Sequence, residues 1–230
     1  MLTKPISKTC GLLALLLLAG CFTVPFEEPE MAPLAADVNP ATLPVRFADR
    51  LPAQFETENT LVFQVFWKEI AALGYAKVDR EAETFEVLCL NHLGVQLFHL
   101  SGDTDGNHLR YAIPEFKKHP EFVDAVGSDI RYVYFNLIPD ADAAAEVKED
   151  RVIYRETSEG RQVTEFMFGG SQLALLEKKT VNGRKTDRTA RFYEYEERTG
   201  GNTLFPGGIV LHNPAQNYRL VIKTRGVTLE

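Results

Sequence analysis

Apolar and polar residues alternate along most of the chain after residue 59, with the period of two that is typical of strands with one buried face. In the clearest segment, the apolar side chains of Leu61, Phe63, Val65 and Trp67 occupy every second position. Such a strand presents one apolar face to a core and leaves its other face free. The pattern therefore predicts a protein built mainly from half-buried strands.

The same alternation predicts about eleven strands, five before residue 114 and six after residue 150. Two connections have the composition of tight hairpin turns, Asn91-His92-Leu93-Gly94 and Asn182-Gly183, because glycine tolerates the positive φ that such turns need. We also expect Lys68-Glu69 to be the turn between the first two strands. The predicted strands cover residues 60–67, 71–79, 84–91, 95–101, 108–113, 151–157, 161–168, 172–181, 187–197, 209–212 and 217–225.

Between the two groups of strands, the apolar period changes to that of a helix. His119-Pro120-Glu121 is typical of a helix start, because proline suits the first turn. We expect this helix to end before Pro139 and a second, short helix to span residues 140–149. The residues that recur at spacings of three and four, and so form one apolar stripe, are Phe122, Val126, Ile130, Val133, Tyr134 and Leu137.

Successive hairpins with one crossing helix define the expected fold class. We predict a mainly β protein with one substantial helix, in which a curved antiparallel sheet of about eleven strands packs on that helix.

The start of the chain has the features of a secretory signal. Lys4 and Lys8 precede the apolar run Gly11–Leu18, and a basic region followed by a short apolar run is typical of such signals. The run is too short to cross a bilayer ~30 Å thick, which requires ~20 residues. We therefore interpret residues 1–20 as a signal peptide.

The four residues Leu18-Ala19-Gly20-Cys21 resemble the lipobox of bacterial lipoproteins. The resemblance implies cleavage before Cys21 and acylation of its thiol, so that outer-membrane lipid is a partner through this anchor. The alternative is an ordinary signal peptide that is cut nearby. Phe22, rather than aspartate, follows the cysteine, which by the sorting pattern of such lipoproteins favours the outer membrane over retention in the inner one. The expected location is therefore the outer membrane, with the lipid-anchored protein facing the periplasm.

Residues 21–52 are expected to form the lipid anchor and a proline-rich tether. Six of the twelve prolines lie in this segment, and dense proline disfavours regular helices and strands. Residues 43–55 are apolar enough to pack on the domain that follows. The chain then divides into a signal peptide (1–20), an anchor and tether (21–52) and a single domain (53–230), which fits the length of one domain.

Charge and candidate chemistry restrict the function. Without residues 1–20, 23 basic and 32 acidic residues remain, a net charge of −9, and an acidic chain without basic blocks is not expected to bind nucleic acid. Cys89 is the only cysteine after Cys21 and is expected to be a buried apolar residue. Glu194 and Glu196 alternate with tyrosines and are expected to lie on one exposed face.

No arrangement of residues with the spacing of a catalytic or metal site is evident in the sequence. None of the five histidines pairs at the spacing of a helical zinc site. Gly169-Gly170-Ser171 lacks the trailing glycine of a nucleophile elbow. We therefore expect no enzymatic activity, no metal and no cofactor.

The hairpin around residues 85–100 resembles the LolB-like outer-membrane lipoproteins, in particular a LolB-related family of unknown function. The resemblance rests on Phe66-Trp67, the strands Phe85–Leu90 and Val95–Leu100, and the loop Asn91-His92-Leu93-Gly94. It implies an open half-barrel with a hydrophobic cavity, covered by helix, that holds acyl chains. It also implies that Leu93 protrudes from its loop and contacts the membrane, although His92 replaces the proline of the family pattern.

The expected function is binding of acyl chains or lipid-linked cargo in that cavity, as in transfer of lipids or lipoproteins across the periplasm, with a periplasmic carrier protein as a further partner. A non-catalytic envelope assembly lipoprotein that docks a protein partner is the alternative. The residues alone leave a fully packed core equally open. The candidates for lining the cavity are Phe63, Val65, Trp67, Phe85, Val87, Leu97, Phe122, Val126, Ile130 and Val133.

Overall fold

A computed structural model describes residues 24–65, 68–158, 162–198 and 203–229, without the side chains of Val65 and Arg198. The predicted signal peptide (1–20), the predicted acylation site Cys21 and the cavity candidate Trp67 lie outside these residues. The described residues form one antiparallel sheet of twelve strands, with three helices. The strands are β1 (Gln54–Val65), β2 (Lys68–Asp79), β3 (Thr84–Leu90), β4 (Gln96–Asp103), β5 (Gly106–Ala112), β6 (Ala144–Val147), β7 (Arg151–Thr157), β8 (Gln162–Gly169), β9 (Ala174–Asn182), β10 (Lys185–Arg198), β11 (Thr203–Asn213) and β12 (Tyr218–Leu229).

Strands that follow one another in the chain are neighbours in the sheet, in the order β5-β4-β3-β2-β1-β12-β11-β10-β9-β8-β7-β6. The exceptions are β5 and β6, which are not neighbours, and the long-range pairing of β1 with β12 at the centre. Because β5 and β6 lie at opposite edges, the connection between them crosses the sheet and carries α2 (Pro114–Lys117) and α3 (Phe122–Tyr134). The predicted fold class, a mainly β protein with an open, curved antiparallel sheet and one substantial helix, is confirmed.

Two predicted local elements are wrong. Residues 140–149 contain no helix, because Ala144–Val147 form the edge strand β6 and pair with β7. A free sheet edge thus overrides the helix propensity of an alanine-rich segment. Lys68 and Glu69 are not a turn either, since they pair with the last two residues of β1 as the start of β2.

The main core lies on the concave face of the sheet, under α3 and the short helix α1 (Leu43–Ala48). Phe47 of α1 is 1% exposed and meets the rings of Phe168 and Tyr195 edge-on, at centroid distances of 5.4 and 6.1 Å. Among the described residues, no helix has the length and apolar character that crossing a membrane requires.

The described part of the predicted tether lies against the sheet. Phe26 stacks on Tyr193 of the outer face, with ring centroids 5.3 Å apart. Gly208 allows this contact, because a Cβ at that position would collide with the Phe26 ring. Farther along, the Leu34 N–H donates to the Glu149 carbonyl at 2.8 Å. The segment therefore contacts the outer face before it reaches α1 in the core.

Candidate functional site

Helix α3 lies across the concave face, with an apolar cavity on one flank and a polar groove on the other. On the apolar flank, Val126, Ile130 and Tyr134 face β1–β4 and β12 across a cavity of about 70 Å³. The amphipathic stripe of the helix places these three side chains on one face. The remaining cavity wall is formed by Asn59, Leu61, Phe63, Gly74, Tyr75, Ala76, Val87, Leu88, Cys89, Phe98, Asp129, Leu220 and Ile222.

The structure divides the ten predicted cavity residues into three groups. Four line the cavity itself: Phe63, Val87, Val126 and Ile130. Four belong to the same core without lining the cavity: Phe85, Leu97, Phe122 and Val133. Two fall outside the described atoms: the side chain of Val65 and the whole of Trp67.

Small residues on β2 create the space beneath α3. Ala72, Gly74 and Ala76 occupy successive inward positions, and Gly74 and Ala76 line the cavity. A Cβ at Gly74 would come within 2.7 Å of Leu61 Cδ1. The period of two in this row is visible in the sequence, but its small side chains are not among the large apolar residues expected to line the cavity.

Three aromatic rings close the N-terminal end of α3. Phe116 of α2 stacks on Phe122 with ring centroids 4.7 Å apart, and both rings meet Phe98 of β4 edge-on, at 5.7 and 5.2 Å. Such ring pairs are stabilised by burial of apolar area and by the stacked and edge-to-face geometry of the rings. This end of the helix is therefore held mainly by apolar packing.

The C-terminal half of α3 is held to the β4–β5 hairpin by an arginine. The Arg131 guanidinium donates to Asn107 Oδ1 and to the Asp103 carbonyl, each at 2.6 Å, and lies 4.9 Å from the Phe85 ring centroid. Gly127 allows the close approach, because a Cβ there would collide with the Asn107 amide.

A buried carboxylate joins α3 to the centre of the sheet. Tyr218 Oη donates to Asp129 Oδ2, and Arg188 Nη1 lies 3.5 Å from Asp129 Oδ1. Burial raises the pKa of Asp129 to about 6, although the Tyr218 hydrogen bond and the Arg188 charge act in the opposite direction. Near neutral pH the carboxylate is therefore mostly charged and connects α3 with β10 and β12.

The opposite flank of α3 borders an open polar groove of about 780 Å³. Its floor is formed by inward-facing side chains of β8, β9 and β10, among them Thr164, Lys178, Thr180 and Arg188. Inward positions of a half-buried sheet are normally apolar. The polar floor is thus a local departure from the pattern that builds the rest of the concave face.

Lys178 is the most unusual residue of this floor. It is 3% exposed, and its Nζ donates to the Asn136 carbonyl at 2.5 Å and lies 4.1 Å from the Tyr132 ring centroid. Burial lowers the pKa of Lys178 to about 7, a shift that the neighbouring Arg188 reinforces and Glu156 opposes. Lys178 is not among the candidate site residues expected from the sequence.

Exposed apolar side chains collect at one end of the sheet. Leu93 is 76% exposed, Val95 54% and Ile70 52%. β3 ends with Leu90 opposite Leu73 of β2, so the loop that follows β3 is close to the level of Ile70 at the start of β2. Leu93 and Ile70 therefore belong to the same end of the sheet.

The described residues contain no cluster of three or more His, Cys, Asp or Glu side chains that could hold a metal ion. Cys89 is 1% exposed, and burial raises the pKa of its thiol to about 12. A thiol in this state is a poor nucleophile, which agrees with its interpretation as a buried apolar residue.

No protein-family model matches the chain, and no curated protein matches it in sequence. Three solved structures are similar to it in fold. One is a LolA superfamily protein from Nitrosomonas europaea, with a TM-score of 0.55 and 10% identity over 84% of this chain and 94% of that one. Another is a DUF1329 family protein from Desulfovibrio piger, with a TM-score of 0.51 and 12% identity over 83% and 91%.

The third similar structure is a domain assigned to an outer membrane lipoprotein-sorting protein of Vibrio parahaemolyticus. Its TM-score is 0.51, with 9% identity over 83% of this chain and 92% of that one. All three matches span most of both chains. Because the sequence identities are low, the likeness concerns the fold alone. The chain therefore has a LolA/LolB-like fold.

Proposed function

We propose that this protein binds the acyl chain of a lipid, or of lipid-linked cargo, between α3 and the concave face of the sheet. The observation that carries the proposal is the apolar cavity beneath an amphipathic helix on an open, curved sheet. Pockets of this kind, apolar with few polar groups, are typical of sites for apolar ligands. The proposed role is binding without catalysis.

The similar structures support this assignment through their fold. One of them is assigned to lipoprotein sorting at the outer membrane. In the same proposal, acylated Cys21 anchors the protein to the periplasmic side of the outer membrane. One acyl chain alone gives only marginal membrane binding, and two or more give a stable anchor.

The cavity must enlarge before it can hold an acyl chain. Its volume is about 70 Å³, whereas an apolar cavity of about 150 Å³ holds a single benzene molecule. The proposed movement is an outward swing of α2 and the N-terminal half of α3, because apolar packing of Phe98, Phe116 and Phe122 holds that end. The polar contacts of Arg131 and Asp129 keep the other half in place.

The cavity and the exposed apolar end of the sheet are connected along β1 and β2. Phe63 lines the cavity and pairs directly with Ile70, which is 52% exposed. In the proposed function this apolar path guides a chain between cavity and membrane, and Leu93 contacts the lipid surface beside it.

The small cavity also favours a second candidate, an assembly lipoprotein that docks a protein partner and carries no lipid. The interior as described leaves no space for a chain unless α3 moves. Binding of a displaceable fluorescent fatty acid to the purified protein distinguishes the two. Saturable binding supports the lipid-binding function, and its absence supports the docking function.

Filling the cavity is expected to weaken binding while preserving the fold. Ala76→Leu places three additional carbons in a cavity of about 70 Å³, so the free energy of unfolding should fall by no more than the ~1–3 kcal/mol typical of added side-chain volume in a core. Competition for the same space should weaken fatty-acid binding by roughly tenfold or more. Fluorescence titration and urea unfolding measure the two effects.

The matched control is Ala71→Leu, because Ala71 is an exposed residue of the same strand. This variant should bind as the unmodified protein does. If Ala76→Leu and Ala71→Leu both bind the fatty acid as tightly as the unmodified protein, the ligand lies outside the cavity and the proposed site is refuted.

A charge on the Leu93 loop is expected to slow transfer to membranes. Leu93 is 76% exposed, so Leu93→Glu should change the free energy of unfolding by less than about 0.5 kcal/mol. Loss of an inserted leucine, together with repulsion from anionic lipid, should reduce the transfer rate about tenfold. The measurement is passage of a fluorescent fatty acid to vesicles that contain phosphatidylglycerol.

Val147→Glu is the matched control, because Val147 is 57% exposed on the edge strand β6. It introduces the same charge away from the proposed contact and should leave the rate unchanged. Equal rates for Leu93→Glu and the unmodified protein would remove Leu93 from the mechanism.

A further inference from the structure

The polar groove lies beside α3, on the flank opposite the cavity, and no role in acyl binding has been assigned to it. Its volume is about 780 Å³, roughly ten times that of the cavity. Toward the opposite end of the sheet, the concave side chains of the same strands, such as Phe168 and Leu175, are completely buried and belong to the core. The change from apolar to polar side chains therefore coincides with the end of the covered region.

Burial of the Lys178 ammonium lowers the stability of the fold, and the packing of the core does not require a lysine at this position. Only 3% of the residue is exposed, and desolvation of its ammonium lowers its pKa. Its hydrogen bonds go to main-chain carbonyls, those of Asn136 and Tyr132, and no carboxylate of the described residues lies within ion-pair distance of it. An unbranched apolar side chain such as methionine would fill the same space without placing a charge there. Local departures from good packing are concentrated at functional sites.

A second cation stands beside it. Arg188 lies with its Cζ 5.0 Å from the ring centroid of Tyr132, the same ring that Lys178 contacts. The Arg188 guanidinium also donates to the Ser128 hydroxyl at 3.1 Å and pairs with Asp129 at 3.5 Å. The acidic residues that line the groove are Glu156, Asp140 and Asp187, none of which is within ion-pair distance of either cation.

We propose that this groove is a second binding site, for an oxyanion of the carboxylate or phosphate class, in which the Lys178 ammonium is the principal contact. Thr164 and Thr180 supply hydroxyl groups on the same floor, 3.3 Å apart. Charge-assisted hydrogen bonds to an ammonium are stronger than neutral ones. The oxyanion is either a free ion or the headgroup of an amphiphile, and the site is independent of the acyl cavity.

Calorimetric titration of the purified protein with three probes tests this site. The probes are inorganic phosphate, dodecyl phosphate and dodecyl maltoside, the last two of which share one chain and differ in headgroup charge. We expect dodecyl phosphate to bind at least tenfold more tightly than dodecyl maltoside. Lys178→Met should remove that preference, and Lys178→Arg should retain part of it. Lys179→Met is the matched control, because Lys179 is the next residue of the same strand and alternation places it on the other face.

The probes also separate the two sources of the oxyanion and the two proposals. Phosphate binding that Lys178→Met abolishes identifies a site for a free oxyanion, and binding of dodecyl phosphate without phosphate identifies a headgroup site. Phosphate binding without binding of either dodecyl probe upholds this site and contradicts the acyl-binding function. Equal affinity for both dodecyl probes, without phosphate binding, overturns the oxyanion site, as does a preference that persists in Lys178→Met.

Discussion

Replacing Phe47 with alanine is expected to destabilise the protein by about 3–5 kcal/mol, the range found for phenylalanine deletions in packed cores. Phe47 is 1% exposed and contacts the rings of Phe168 and Tyr195. No other side chain of α1 fills this position, so the substitution leaves a void between the helix and the concave face. This loss of stability is expected although Phe47 lies in the proline-rich segment 21–52, which the sequence predicts to be a tether.

Urea unfolding followed by circular dichroism measures this effect. Val45→Ala on the same helix is the control, because Val45 is 58% exposed and should change the free energy of unfolding by less than about 0.5 kcal/mol. Phe47→Leu should lose about 1–1.5 kcal/mol and supplies a graded variant if the alanine variant does not fold. A loss below about 1 kcal/mol for Phe47→Ala would show that α1 is not part of the cooperative core.

The result affects how the acyl-binding function is tested. A fragment that begins at residue 53 lacks α1, and with it Phe47 and Leu43, both of which are buried. The Arg50 carbonyl, which accepts a hydrogen bond of 2.7 Å from the Leu204 N–H, is also lost. Binding experiments therefore require the chain with its N-terminal segment.

Local patterns in the sequence were sufficient for the fold class. Alternation identified most strands, and the stripe that includes Val126 and Ile130 identified α3, because both signals depend only on near neighbours in the chain. The central pairing of β1 with β12 joins residues more than 150 positions apart. No local pattern encodes that contact, which is why the order of the strands could not be read from the sequence.

The alternation failed on β10, where one residue reverses it. Glu194 has a φ of +53°, and the side chains on either side of it consequently face opposite sides of the sheet. Tyr193 packs under Phe26 on the outer face, whereas Tyr195 packs against Phe47 on the concave face. A left-handed residue that is not glycine has no clear sequence signal, so the sequence does not show that Tyr193 and Tyr195 lie on opposite faces. Glu194 and Glu196 are both exposed.

Lys178 was missed for a related reason. The three residues before Glu177, Ala174 to Leu176, are all buried, so a period of two cannot be assigned to the start of β9. The sequence Glu177-Lys178-Lys179 then resembles an ordinary exposed segment. Only the pairing of β9 with β8 and β10 determines that Lys178, and not Lys179, faces the core.

Replacing Lys178 with methionine is expected to stabilise the protein at pH 7 by about 2 kcal/mol. The pKa of Lys178 is about 7 in the folded protein, against an ordinary value of 10.5. At pH 7 the folded protein keeps a desolvated ammonium about half of the time, and at this pH the lowered pKa corresponds to about 4 kcal/mol of destabilisation. Methionine removes that cost but also removes the hydrogen bonds to the Tyr132 and Asn136 carbonyls, which together are worth about 2 kcal/mol.

The sign of the difference should reverse as the pH is raised. Between pH 7 and 10.5 the unfolded chain binds more protons at Lys178 than the folded protein, so the stability of the unmodified protein rises relative to that of Lys178→Met. Near pH 10 the desolvation cost is almost gone, and the variant should be slightly less stable because only the lost hydrogen bonds remain. Urea unfolding of both proteins from pH 6 to pH 10 measures the difference, in which the titration of groups that do not interact with Lys178 cancels.

Lys179→Met should show a small difference that does not vary with pH in this window. A Lys178→Met variant that is less stable than the unmodified protein at every pH would show that the ammonium is well compensated by its carbonyl contacts. A crossover near pH 9 to 10 would show instead that the folded state retains Lys178 at a cost in stability. That cost is what a residue selected for binding, rather than for packing, would impose on the fold.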